Sequence, residues 1–275
     1  MATPADPPWR AAFLSDVERM DSPTFVLSAL GQSNGAPLSW SSSSSPPSPR
    51  DHPPRPSIMV PRARTVVFRG MWACLPVNGK NPAELNADVF TSYLPTITTD
   101  VRMQKSSELV SGDGAGNPVE AVFWAAEAKN QWRLRGRAYL LGPDIDSEAA
   151  APVRAAIKPY MRPRGTGAGT DVGGPWSWSR ELTAHFGNLS PLMRGTFKNP
   201  PPGTPLACMA DQGFGLGAEV HDLDDELARR NFRVVVIVPD EIDRVDLSEP
   251  ARVRRWSYSR ERASEDGWRV TELWP

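Results

Sequence analysis

Cysteine is nearly absent: Cys74 and Cys208 are the only two among 275 residues. Two thiols cannot build a disulfide-stapled scaffold, and a reducing, cytoplasmic setting is the expectation. The three histidines, His52, His185 and His221, stand at no spacing that would join the cysteines in a zinc site. A charge excess is missing too. Thirty-one Lys and Arg against 32 Asp and Glu leave a net charge of −1, which argues against nucleic acid as a partner. Long apolar runs are lacking: the longest β-like run, Val234 to Val238, has five residues, against the ~20 of a membrane-spanning helix. Residues 1–10 carry three prolines and two charges rather than the charged-then-apolar pattern of a signal peptide.

What is abundant is proline, with 29 residues, followed by 21 glycines and ten tryptophans. So much proline argues against a mostly helical chain. Residues 8–20 place Trp9, Phe13, Leu14 and Val17 at helical spacing, with Pro8 near the first turn. Residues 24–30 read as a strand. Residues 33–57 are Ser/Pro low complexity, with consecutive serines from Ser41 to Ser45, and are expected to be a disordered insertion. Strands are expected at 62–71, 89–99 and 119–125, with a short helix over 104–110. Residues 130–141 alternate Trp132, Leu134, Gly136, Ala138 and Leu140 with Arg133, Arg135, Arg137 and Tyr139, which places arginines on one face and core on the other. Helices are expected at 148–158, 178–186 and 190–197, around a Gly-rich loop at 164–175. Strands at 232–238, 252–259 and 268–273 close the chain. Adjacent, turn-linked strands favour an antiparallel sheet or barrel with helices outside, an α+β but mainly β arrangement forming a single domain over 1–275.

Several motifs have simpler explanations than the chemistry they evoke. Gly31-Gln32-Ser33-Asn34-Gly35 fits a nucleophile elbow, but no helix follows it, so a turn explains it better. The glycine strings at 165–169 and 213–217 lack the strand-before, helix-after frame of a dinucleotide fold. The acidic run 219–226 around His221 reads as a solvated helix start. Two stretches say more. Arg62-Ala63-Arg64-Thr65-Val66-Val67-Phe68-Arg69 sets arginines at strand spacing. Thr98-Thr99-Asp100-Val101-Arg102-Met103-Gln104-Lys105-Ser106 ends a strand in hydroxyls and follows it with cations. Hydroxyls, Arg and Lys together suit a phosphate.

In this order the motifs resemble the pyridoxamine 5'-phosphate oxidase-like family of FMN-binding split barrels. The resemblance rests on Arg64 through Arg69, Thr99 through Lys105, Gln131 ahead of Gly136, Arg255-Trp256, and the closing Trp268-Arg269-Val270-Thr271-Glu272-Leu273-Trp274-Pro275. Leu189-Ser190-Pro191, Arg194, Phe197 and Pro200-Pro201-Pro202-Gly203 match an FMN-binding branch with tryptophan-rich ends.

The resemblance implies an antiparallel six-stranded split barrel with peripheral helices that forms a homodimer with FMN at the interface. Arg64 and Lys105 would grip the FMN phosphate, helped by Thr98, Thr99, Arg102 and Arg69, with Gln104 where the family has Arg. Main chain at Thr65, Val66 and Val67 would edge the flavin ring, Gln131 would hydrogen-bond it, and Arg255 would reach it from the partner subunit. An FMN-dependent oxidoreductase acting on a small, anionic substrate follows, with Arg69, Arg252 and Arg254 as substrate contacts. The alternative is a non-catalytic flavin-binding or interaction module. The oxidase's flavin-packing Trp is replaced by Val245, its R-x-H pair by Arg252-Val253-Arg254, and Arg162 falls near its substrate-phosphate arginine.

Overall fold

A computed structural model describes residues 6–33, 58–110, 114–164, 175–205, 216–261 and 267–275. The Ser/Pro insertion beyond Ser33, most of the Gly-rich loop at 164–175, His52 and Cys208 lie outside the described residues.

Helix α1 (Arg10–Glu18) leads into strands β1 (Thr24–Ser33) and β2 (Ile58–Val67). Short β3 (Phe90–Thr91), β4 (Thr96–Asp100) and helix α2 (Gln104–Leu109) follow, then β5 (Asn117–Ala125) and β6 (Asn130–Leu141). Helix α3 (Ala151–Ile157) and short β7 (Arg162–Pro163) precede α4 (Trp178–Gly187), α5 (Pro191–Gly195) and α6 (Glu226–Asn231). Strands β8 (Phe232–Asp246), β9 (Arg254–Arg260) and β10 (Trp268–Leu273) complete the chain. No described helix is long and apolar enough to cross a membrane.

Eight strands form one antiparallel sheet, ordered β10-β9-β8-β6-β5-β1-β2, with β4 on β8. Six of them close on themselves. Where β2 ends, Arg69 N–H donates to Thr96 O and Thr96 N–H to Gly70 O, each at 2.9 Å, so the β2 segment meets β4. The ring is therefore β1-β2-β4-β8-β6-β5, an antiparallel split barrel. The split lies along β8: its first residues pair with β4 and Glu241–Asp246 pair with β9. The β3–β7 pair stands apart.

The barrel is filled by aromatics. Trp9, just before α1, and Phe13 and Val17 within it recur every four residues, so they share one face, and all three are buried. Phe13 meets Phe123 edge-on at 4.9 Å and Trp132 at 5.6 Å.

Several strand boundaries differ from expectation; the first strand runs on through Gly31, read as part of a turn, to Ser33. The 62–71 strand starts earlier, at Ile58, and leaves the β1 ladder after Val67 to join β4. The 89–99 strand is two strands, because Pro95 has no N–H to continue a ladder. The 232–238 strand runs on through Pro239 to Asp246. Pro239 is tolerated because it lies opposite Gly136 at a β-bulge, where the register shifts. A Cβ on Gly136 would sit 2.1 Å from Val238 O, so only glycine fits there. The β6 alternation holds through Ala138, after which Tyr139 and Leu141 are buried and Leu140 only half-buried.

Candidate functional site

Arg64 lies directly opposite Leu27, which is fully buried, so its side chain leaves β2 on the barrel's inner face. Arg62, two residues away, shares that face. Helix α2 covers this end of the barrel and brings Glu108 onto Arg64, Nη2 to Oε2 at 2.5 Å, with the carboxylate side chain 5% exposed. Gly31 makes room for this approach: a Cβ there would lie 3.1 Å from both Arg62 Cγ and Glu108 Oε1. Lys105, one turn before Glu108, is held below its ordinary pKa by burial first and by the Arg64 charge second, with Asp100 opposing.

Cations outnumber the carboxylate here. Arg62 and Lys105 have no acidic partner within ion-pair distance among the described residues. Arg62 Nε, Arg64 Nη1 and Glu108 Oε1 are buried without a hydrogen-bond partner. A buried guanidinium N–H with no acceptor is costly, and an anion bringing several oxygens would satisfy it.

Next to this cluster is a cavity of about 440 Å³. Its polar lining includes Arg69, Thr98, Thr99, Asp100 and Lys105, and its apolar lining Leu189, Met193, Phe197 and Pro200 to Pro202. Burial lowers the Arg69 pKa, and its Nε has no partner. Its Nη2 reaches only Met193 Sδ, at 4.0 Å.

The remaining expected residues are placed as follows. Arg102 is committed within the chain: it forks onto Asp100 and donates to Asn199 O at 2.8 Å and Phe197 O at 3.1 Å, anchoring the proline-rich wall. Gln104 is exposed at the start of α2. Thr65 and Val67 face outward, and Val66 inward. Gln131 and Arg255 are both directly opposite Val245, so they form one row on the outer face across β6, β8 and β9. Arg255 is held by Asp243 at 2.8 Å, and Arg133 reaches the same carboxylate at 3.2 Å. Arg254 pairs with Glu272 and stacks on Trp256, while Arg252 is exposed; neither lines the cavity. Arg162 pairs with Asp6 and lies over Tyr93.

Sequence reasoning passed over Glu108 and Asp243, and did not single out Arg62 as a site residue. Glu108 had a legible signal, since it follows Lys105 by one helical turn. Asp243 had none, because its neighbours come from other strands.

A closed six-stranded antiparallel barrel, split along one long strand, places the chain in the split-barrel fold class. Residues 53–142 match the family model described as pyridoxamine 5'-phosphate oxidase, FMN-binding domain. FMN is the cofactor of this domain type. The fold resembles a pyridoxamine 5'-phosphate oxidase-related, FMN-binding protein from Nostoc punctiforme, at 18% identity and TM-score 0.56, covering 98% of this chain and 99% of that one. It also resembles PhzG from Burkholderia lata, solved with tetrahydrophenazine-1-carboxylic acid, at 15% identity and TM-score 0.50, covering 98% and 95%. A search of curated protein sequences finds no match.

Proposed function

We propose that the protein is a homodimeric FMN-dependent oxidoreductase acting on a small anionic substrate. The observation that carries this reading is the buried, unpartnered guanidinium donor Arg64 Nη1 beside Lys105. A phosphate monoester supplies the acceptors and the charge that this cluster lacks.

Arg64 and Lys105 would hold the FMN phosphate, and Thr99 would add a hydroxyl from the cavity wall. FMN, when bound, supplies the hydride chemistry; the protein supplies orientation and electrostatics. Arg69 is left over in the cavity, with no ion-pair partner among the described residues, as a cation that can orient a carboxylate or phosphate. The apolar wall of Leu189, Met193 and Phe197 excludes water from that face. Gln131 and Arg255 share a row on the outer face, away from the inward-facing Arg64, which agrees with their serving a flavin held by the other subunit. An anionic substrate is in keeping with the carboxylic acid bound by PhzG. Vitamin B6 oxidation is not the activity we propose, because Arg254 replaces the family's histidine and lies outside the cavity.

Native mass spectrometry of the purified protein tests the reading. The expected result is a species of twice 30.1 kDa carrying two FMN. A colourless protein that takes up no added FMN overturns it. Flavin that no anionic substrate reduces would favour the non-catalytic alternative.

A further inference from the structure

Glu108 is an unusual neighbour for a phosphate site. Its carboxylate is buried, it occupies Arg64 Nη2 at 2.5 Å, and it keeps one oxygen unpartnered. Across Gly31 lies Arg62, whose Nε is buried and also unpartnered. A dianionic phosphate and a carboxylate cannot both take Arg64 at close range, since like charges repel strongly away from water. The charges balance in one arrangement. Arg64 and Lys105 together neutralise a phosphate dianion, and Arg62 neutralises Glu108.

We propose that Glu108 is an internal competitor for the phosphate-binding arginine: it pairs with Arg64 when the site is empty and passes to Arg62 when phosphate arrives. The inference rests on the FMN reading above. Glu108 then stabilises the empty protein, because it gives the Arg64 guanidinium a counter-charge, and it weakens cofactor binding, because the phosphate must displace it. Arg62 assists binding without touching the cofactor, as the group that receives the displaced carboxylate. Gly31 keeps the space between Arg62 and Glu108 open for the exchange.

The test uses FMN affinity by fluorescence titration together with thermal unfolding of the cofactor-free protein. Glu108→Gln should tighten FMN about tenfold while lowering the melting temperature of the empty protein. A residue that only supported the fold would lower both. Arg62→Ala should weaken FMN about tenfold in the wild-type background, yet change it by less than about twofold in the Glu108→Gln background. Should Glu108→Gln not fold, Glu108→Asp withdraws the carboxylate by one methylene and should tighten FMN to a smaller extent. Equal or weaker FMN binding in the Glu108 variants overturns the inference. So does an Arg62→Ala loss of the same size in both backgrounds, which would make Arg62 a direct phosphate ligand. Wild-type protein that binds no FMN overturns the flavin reading itself, and this inference with it.

Discussion

The Trp132 indole N–H donates to Asp16 Oδ2 at 2.9 Å, tying the middle of the barrel to the helix that plugs it. Both side chains are buried, and Arg19 approaches the other Asp16 oxygen at 3.5 Å. Trp132→Phe would keep most of the aromatic packing against Phe13 but leave a buried carboxylate without its donor. The expected loss is about 1–3 kcal/mol of unfolding free energy, read from urea denaturation. Combining it with Asp16→Ala should recover part of that loss, since no carboxylate then remains to be satisfied. Equal stability of wild type and Trp132→Phe would show that the contact carries little.

Arg64 and Lys105 are the phosphate ligands of the proposed site. A hydrogen bond to a charged group is worth about 1.5–3 kcal/mol, so each Ala substitution should weaken FMN by about tenfold to a hundredfold. Arg102→Ala should act differently. Its guanidinium holds Asp100 and the carbonyls of Phe197 and Asn199, so the expected first effect is loss of stability. Fluorescence titration beside thermal unfolding separates the two classes. Unchanged FMN affinity in the Arg64/Lys105 double variant would remove the assignment.

His185 gives the fold an acid-sensitive point. It is fully buried against Trp72, with ring centroids 5.6 Å apart, and neither ring nitrogen has a partner. Burial first, and the Arg69 charge second, lower its pKa from 6.5 to about 3. Between those values the unfolded chain holds the proton and the folded chain does not, so stability falls as pH falls. The slope is at most about 1.4 kcal/mol per pH unit. Glu181, whose Oε1 lies 3.8 Å from His185 Nε2, works the other way. Burial raises its pKa, so its contribution is present below 4.5 and is lost as pH rises through the raised value. Going from pH 7 to pH 5, the His185 effect alone should remove about 2 kcal/mol of stability. His185→Phe, which keeps a ring on Trp72, should flatten that dependence in urea denaturation. An unaltered profile would place the acid sensitivity elsewhere.

The segment 34–57 should be replaceable. The β1–β2 ladder extends to the Ser33–Ile58 pair, so the two ends to be joined are directly opposite each other. A two-residue Asn-Gly turn spans such a gap, and removing a long loop changes closure entropy only slightly. The shortened protein should melt within a few degrees of wild type and keep its FMN. Insolubility or loss of flavin would show that the segment packs on the barrel.

Much of the strand and helix order was legible because it rests on local periodicity. Strand β6 runs over Asn130–Leu141 and β10 over Trp268–Leu273, as their alternation and end signals indicate. Arg64 and Lys105 each stand out in the sequence as part of a short motif, and the fold sets their charges near one another. Three things were decided only in three dimensions. Strand β8 continues past Pro239 because a bulge at Gly136, on another strand, absorbs the missing donor. Arg102, which reads as a free cation beside a phosphate motif, is taken up by carbonyls almost a hundred residues away. Glu108 reaches Arg64 across 44 residues because α2 folds over the barrel end where Gly31 has no side chain. Periodicity reports which face a residue presents. Which partner meets that face depends on how distant strands register, and that is settled only when the barrel closes.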